Sequence, residues 1–258
     1  MKFEFEVIET ADKSPTLRLL AGDQKEAQCM HHLGGALSES EYIYLEATKV
    51  ALKQRRKPHV LSVGLGLGYN ELLTLAEIST SHPELIDKTS LVSYESEKIL
   101  CENLRSYILN QPLPENWSAL YASIFKQISS RFDMKEDSLV SVAKNLLTSQ
   151  KWQMRSALTL VSLPKDERFS VIYFDAFSSS ASPNLWTEEF LNDFLLSCSE
   201  ELSIFVTYAV TGALKRSFKK NHFEVFHRSG FKGKRESTWA VKKDLDGSYL
   251  SFRPPSTL

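Results

Sequence analysis

The chain has 258 residues, 42% of them apolar, which suits one soluble domain with an ample core. Its 31 Lys and Arg against 32 Asp and Glu give a net charge of −1 and exclude a uniform polyelectrolyte. Three scattered cysteines (Cys29, Cys101 and Cys198) exclude a disulfide framework, and no Cys or His spacing indicates a metal site.

The opening residues KFEFEV alternate Phe3, Phe5 and Val7 with charges, and Thr16 to Leu20 offers a partner strand, so an N-terminal hairpin is expected. This start does not resemble a signal peptide, and no apolar stretch approaches the roughly 20 residues of a membrane span. A cytoplasmic location without membrane contact follows as an expectation. His31-His32, lacking carboxylates or thiols at ligand spacing, reads as surface.

Ser38 to Lys53 reads as a helix, ended by a basic run and Pro58. Val60 to Val63 is an apolar strand, followed by Gly64, Gly66 and Gly68 and by a helix over Asn70 to Ile78. Leu91 to Tyr94 is a second strand, ending on Glu95, and Lys98 to Leu109 is helical. From Trp117 to Lys151 there is neither glycine nor proline, and the spacing predicts a helical insertion beside the sheet. Trp152 to Ser156 is a third strand, with a short helix over Ala157 to Leu163. Val171 to Phe177 carries Asp175 to the carboxyl edge of a parallel sheet. A small-residue loop, a helix over Trp186 to Leu196 and a strand over Ser203 to Tyr208 come next. Thr211 to Lys220 is helical, and Phe223 to His227 pairs with Ser237 to Val241 as a closing antiparallel pair. The tail from Asp244 reads as loose.

A strand, a glycine turn and a helix present backbone N–H groups and a helix N-terminus to a ligand. Glu95, one βαβ unit later, stands where this architecture hydrogen-bonds ribose hydroxyls. The spacing G-x-G-x-G, rather than G-x-G-x-x-G, favours an adenosyl ligand such as S-adenosylmethionine over NAD. The same glycines also suit a plain strand-to-helix turn. Between Lys215 and Lys243, ten basic residues face two acidic ones, a local charge of +8 against −9 elsewhere. Such a segment suits an anionic partner, nucleic acid among them, or a solvated charged face.

With Gly64, Glu95 and Asp175 at successive strand tips, the chain resembles a class I methyltransferase. More closely, it resembles the methyltransferase domain of the MnmC-type tRNA-modifying enzymes. The stretches that carry this are SESEYIYLEA (Ser38 to Ala47), GLGLGYNEL (Gly64 to Leu72), SYESEK (Ser93 to Lys98) and DAFSSSASPNLW (Asp175 to Trp186). TYAVTGALKR (Thr207 to Arg216) and GFKGKRE (Gly230 to Glu236) complete the match, which covers nearly the whole chain. The resemblance implies an α/β Rossmann-like class I fold: a seven-stranded mostly parallel sheet with an antiparallel C-terminal strand, plus an N-terminal hairpin and a helical insertion. Residues 1–258 are then one methyltransferase domain, with 1–57 as hairpin and helix, 112–151 as insertion and 244–258 as tail.

It further implies methyl transfer from S-adenosylmethionine, with S-adenosylhomocysteine as product, to the amine of 5-aminomethyluridine at the tRNA wobble position. Asp175 is the expected catalytic acid–base group. Gly64, Leu65, Gly66, Gly68, Tyr69, Asn70, Glu95, Ser156 and Glu39 are expected at the cofactor, and Trp186 and Tyr208 at the uridine. Lys234 and Arg235 are expected on tRNA phosphates. No counterpart of the family's flavin-dependent oxidase domain lies in these 258 residues, so a separate oxidase is expected upstream. Ser62, Leu67 and Ser156 depart from the family pattern at the first strand, the glycine loop and the third strand, as do Ser179, Ala181 and Ser182 after Asp175. Each loss removes about 0.5–1.5 kcal/mol of hydrogen bonding to a ligand. A methyltransferase or aminopropyltransferase-like enzyme for a free small amine, and a non-catalytic RNA-binding relative with a degenerate cofactor site, are the alternatives.

Overall fold

The computed structural model describes residues 5–19, 28–54, 56–244 and 246–255. Phe3 and Leu20, expected in the N-terminal hairpin, lie outside them. The hairpin itself is present as β1 (Phe5–Glu9) and β2 (Pro15–Leu19), and β3 (Gln28–Cys29) extends it to a three-stranded antiparallel sheet.

The central sheet comprises β4 (His59–Val63), β5 (Ser90–Tyr94), β6 (Trp152–Arg155), β7 (Phe169–Phe174), β8 (Ser199–Thr207), β9 (Phe223–Ser229) and β10 (Glu236–Lys242). Their spatial order is β6-β5-β4-β7-β8-β10-β9. The pairings β4/β5, β4/β7, β5/β6 and β7/β8 are parallel, and β10 runs antiparallel to both β8 and β9. This is the expected sheet. Strands β4, β5 and β7 are mainly apolar, broken only by His59 and small serines, because both faces are covered, and every residue of β7 is buried.

One face carries α1 (Ala36–Ser40), a π turn (Glu41–Leu45) and α2 (Glu46–Lys53) in one run, with α3 (Tyr69–Ser81) and α4 (Lys98–Ile108) beside it. The expected insertion is two helices, α5 (Glu115–Arg131) and α6 (Glu136–Thr148), packed on α3. They part at Asp133, whose φ of 50° no helix continues. The other face carries α7 (Glu188–Cys198) and α8 (Gly212–Lys220), over a stack of Phe174, Phe194, Phe205 and Phe218.

Two expectations fail. Residues 157–163 form a turn held by the Thr159 and Ser162 hydroxyls, rather than a helix. Each hydroxyl bonds the other residue's backbone N–H, an alternative to helical pairing open to Ser and Thr. The tail is docked rather than loose as far as Phe252, which is 4% exposed and accepts from Trp239 Nε1 at 3.0 Å.

Candidate active site

The parallel strands β4, β5 and β7 end together, and their carboxyl ends border a cavity of about 430 Å³. Gly64 N–H donates to Tyr94 O at 2.9 Å, and Asp175 N–H donates to Val63 O at 2.8 Å, so the three strand ends are pinned to one another. Gly64 has φ +94°, and a Cβ there would lie 2.5 Å from Asp175 O. Glycine is therefore required both for the turn and for the close approach.

Asp175 stands at the centre of this arrangement. Its Oδ1 accepts from the Tyr44 hydroxyl at 2.5 Å, and its Oδ2 accepts from Asn70 Nδ2 at 2.9 Å. Burial pushes its carboxyl up to about 8, opposed by the hydrogen bonds from Tyr44 and Asn70 and reinforced by the negative charge of Glu39. A nearby positive charge favours the charged form of a carboxyl, so a cationic ligand in the cavity would shift Asp175 toward the carboxylate.

At one end of the cavity, Glu95 is 8% exposed. Its Oε2 accepts from Gly66 N–H at 2.8 Å and its Oε1 from Glu97 N–H at 2.9 Å. Each oxygen keeps acceptor capacity for a hydroxyl. Toward the N-terminal sheet, Glu39 Oε1 meets Lys234 Nζ at 3.0 Å, and Glu39 Oε2 accepts from His32 N–H at 2.6 Å. Glu39 is placed by the loop before β2. Ser14 Oγ accepts from Ala36 and Leu37 N–H, and Asp12 Oδ2 accepts from Ser38 N–H, capping α1 from outside the helix. Burial opposes ionisation of Asp12, yet its hydrogen bonds from Ser14, Ser38 and Thr10 hold its carboxyl well below the usual range.

The cavity brings together Glu39, Gly64, Leu65, Gly66, Glu95, Asp175, Tyr208 and Lys234 from the expected set. Other expected residues are placed elsewhere. Gly68 is the left-handed N-cap of α3 against Leu104, and Tyr69 is a core residue donating to Pro15 O at 2.8 Å. Asn70 turns to Asp175. Trp186 is buried against Phe174 and donates to Phe177 O at 2.7 Å, so it braces the loop after Asp175 rather than facing the cavity. Ser156 and Arg235 are exposed and do not border the cavity, whereas Ala157 and Leu158 do.

His31, expected on the surface, lines the cavity and pairs through Nδ1 with Thr16 Oγ1 at 2.9 Å. Burial pushes its imidazole down to about 4 and keeps it neutral. A carboxyl is nonetheless buried near Ser62: Glu71 of α3, fully buried and outside the cavity lining, accepts from Ser93 Oγ at 2.8 Å through Oε1. Burial pushes Glu71 up to about 7, eased by Ser93 and Ser62. Sequence reasoning missed Tyr44 and Glu71, because each sits at an apolar helical position where a polar group gives no periodic signal.

The basic segment is less free than its composition suggests. Arg228 is 4% exposed, Arg216 pairs with Glu188 and Lys243 with Glu224, and Lys242 donates to Ser199 Oγ. Among the described residues, no group of three His, Cys, Asp or Glu converges as a metal site, and no helix is long and apolar enough to cross a membrane.

An adenosyl-sulfonium ligand fits these walls. Hydroxyl acceptors stand at Glu95, and the acidic side chains Glu39, Glu95 and Asp175 outnumber the single Lys234, a lining that a cationic ligand complements. The sequence profile described as S-adenosyl-L-methionine-dependent methyltransferase matches residues 113–243, half of the chain. An uncharacterized protein of Methanocaldococcus jannaschii is 22% identical over 94% of this chain and 61% of its own. The tRNA 5-methylaminomethyl-2-thiouridine biosynthesis bifunctional protein MnmC of Paraburkholderia phymatum is 25% identical over 80% of this chain. The chain spans only 31% of that relative's length. In fold, the crystal structure of MNMC2 from Aquifex aeolicus matches with a TM-score of 0.63 at 23% identity, over 93% of this chain and 70% of that one. The chain belongs to the S-adenosyl-L-methionine-dependent methyltransferase family, and its resemblance to the MnmC-type members of that family is borne out.

Proposed function

We propose that the protein is an N-methyltransferase acting on the aminomethyl group of a modified wobble uridine in tRNA. The observation that carries this is the Asp175 carboxyl, fixed by Tyr44 and Asn70 on the wall of a cavity bordered by acidic side chains. The curated MnmC relatives, named for tRNA 5-methylaminomethyl-2-thiouridine biosynthesis, supply the substrate class.

Glu95 binds the ribose hydroxyls of the cofactor, and Gly64 to Gly66 let it approach the backbone. Glu39 and Lys234 offer opposite charges to its methionine end. When bound, S-adenosylmethionine supplies an electrophilic methyl carbon on a sulfonium. An alkylamine with a pKa near the lysine value of about 10.4 is mostly protonated at neutral pH. Asp175 would hold that ammonium and its carboxylate would take one proton, freeing the nitrogen lone pair to accept the methyl group, with the thioether as leaving group. Holding nitrogen and carbon in line contributes on the order of 7–11 kcal/mol in well-oriented systems. Tyr208, whose hydroxyl donates to Ala176 O at 2.9 Å, borders the cavity with Lys234 Nζ 4.9 Å over its ring, and is the aromatic side chain against which the base would pack.

Calorimetric titration with S-adenosylmethionine, with and without tRNA, tests this reading. Cofactor binding and a salt-dependent tRNA association are expected, and absence of cofactor binding contradicts it. A free small amine is the second reading, favoured by the partial neutralisation of the basic segment. It predicts turnover on that amine without dependence on tRNA.

A further inference from the structure

Tyr44 lies within the π turn Glu41–Leu45, in an otherwise α-helical run. Wide turns of this kind are uncommon and recur at functional sites. This one is braced from the far end of the chain. Arg228 of β9, buried, donates to Ile43 O at 3.0 Å and also to Tyr42 O. Its guanidinium carbon lies 4.3 Å over the Tyr42 ring and 5.3 Å from the Trp239 ring. The Tyr42 hydroxyl donates to Ser229 O at 3.0 Å, tying the same turn to the same strand a second time.

A buried cation is costly, and burial lowers the Arg228 pKa. Here the guanidinium is held by two main-chain carbonyls of the turn and by two ring faces. What that arrangement fixes is the backbone immediately before Tyr44, at the carbonyls of Tyr42 and Ile43. The Tyr44 ring, edge-on to Tyr173 at 5.7 Å, then places its hydroxyl on Asp175.

We propose that Tyr44 is the positioning residue for Asp175, aimed at Oδ1 by a π turn that Arg228 braces. The proposal rests on the assignment of Asp175 as the group facing the acceptor amine. Tyr44 on one oxygen and Asn70 on the other fix the carboxylate plane, and both donors favour the charged form. Against them stand burial and the negative charges of Glu39 and Glu71, with Tyr208 and the Glu39-bound Lys234 completing the surroundings.

Tyr44→Phe keeps the ring and removes the donor. The Asp175 carboxyl is followed by carbon-13 NMR titration of the protein without ligands, assigned with Asp175→Asn. The titration midpoint should rise by about one pH unit in Tyr44→Phe, the size expected for loss of one hydrogen bond to a charged group. Turnover should fall about tenfold while KM for the cofactor stays within about twofold, and the acid limb of its pH profile should move up with the midpoint. An unchanged midpoint in Tyr44→Phe overturns the proposal. A folded Arg228→Lys protein with the wild-type midpoint overturns the brace. A shifted midpoint in a protein that methylates no aminomethyl substrate upholds the positioning role and refutes the substrate reading alone.

Discussion

Asn70 donates its side-chain amide to Asp175 Oδ2 at 2.9 Å, so a residue of the glycine-loop helix sets the face that the acid presents. Asn70 Oδ1 has no hydrogen-bond partner among the described residues. An amide at position 175 can therefore be accommodated by rotation of the Asn70 amide, which preserves the pairing. Asp175→Asn should lower turnover about 10²–10⁴-fold while cofactor affinity changes only a few-fold. Initial rates beside calorimetric titration check this. Collapse of affinity with turnover intact would move Asp175 to the cofactor site.

The same buried acid makes stability depend on pH. Folding raises the Asp175 pKa from 3.8 to about 8 and that of Glu71 from 4.5 to about 7. A raised pKa means that the folded state holds its proton more tightly. The contribution is complete below pH 4 and is lost as pH rises toward 7 and 8. Asp175→Asn should accordingly raise the Tm of the ligand-free protein at pH 8 and change it little at pH 4. Thermal scans at the two pH values measure the difference, and an equal shift at both would show that the acid is not strained by burial.

Glu95 holds the glycine turn through Gly66 as well as facing the cavity. Glu95→Ala should weaken cofactor binding by about 1.5–3 kcal/mol, the range for hydrogen bonds to a charged group. Unchanged affinity by calorimetry would put the ribose elsewhere.

The sheet was legible because its central strands are apolar on both faces and end in glycine or an acid, a pattern that survives without knowledge of packing. Asp175 was legible for the same reason, as a charge at the end of a fully buried run. The surroundings of the acid were not. Tyr44 and Arg228 are 184 residues apart, Arg228 reaches that turn through the Tyr42 and Ile43 carbonyls only in the folded chain, and an aromatic inside a helix reads as core. Tyr69 and Trp186 show the converse error. Each stands in a motif-like stretch, yet its polar atom serves a backbone carbonyl beneath the site. The basic run misled because composition counts Arg228 and Lys234 as surface charges, whereas one braces a turn and the other pairs with Glu39.

Lys234 and Lys219 should therefore behave differently on substitution. Lys219 and Lys220 are exposed on α8, and replacing both with Ala should reduce the slope of log tRNA affinity against log salt by roughly two units. Lys234→Ala should instead change cofactor affinity, because it unpairs Glu39 in the cavity wall. Salt-series binding and calorimetry on both variants separate the two effects. A Lys219→Ala, Lys220→Ala protein with the wild-type slope would remove α8 from the tRNA surface.

The most direct test of the account is mass spectrometry of nucleosides from tRNA bearing 5-aminomethyluridine, after incubation with the protein and methyl-labelled S-adenosylmethionine. The account predicts one labelled methyl on the aminomethyl nitrogen with the wild-type protein, and a trace at most with Asp175→Asn. Label on another atom or nucleoside, or label transferred equally by both proteins, would contradict it.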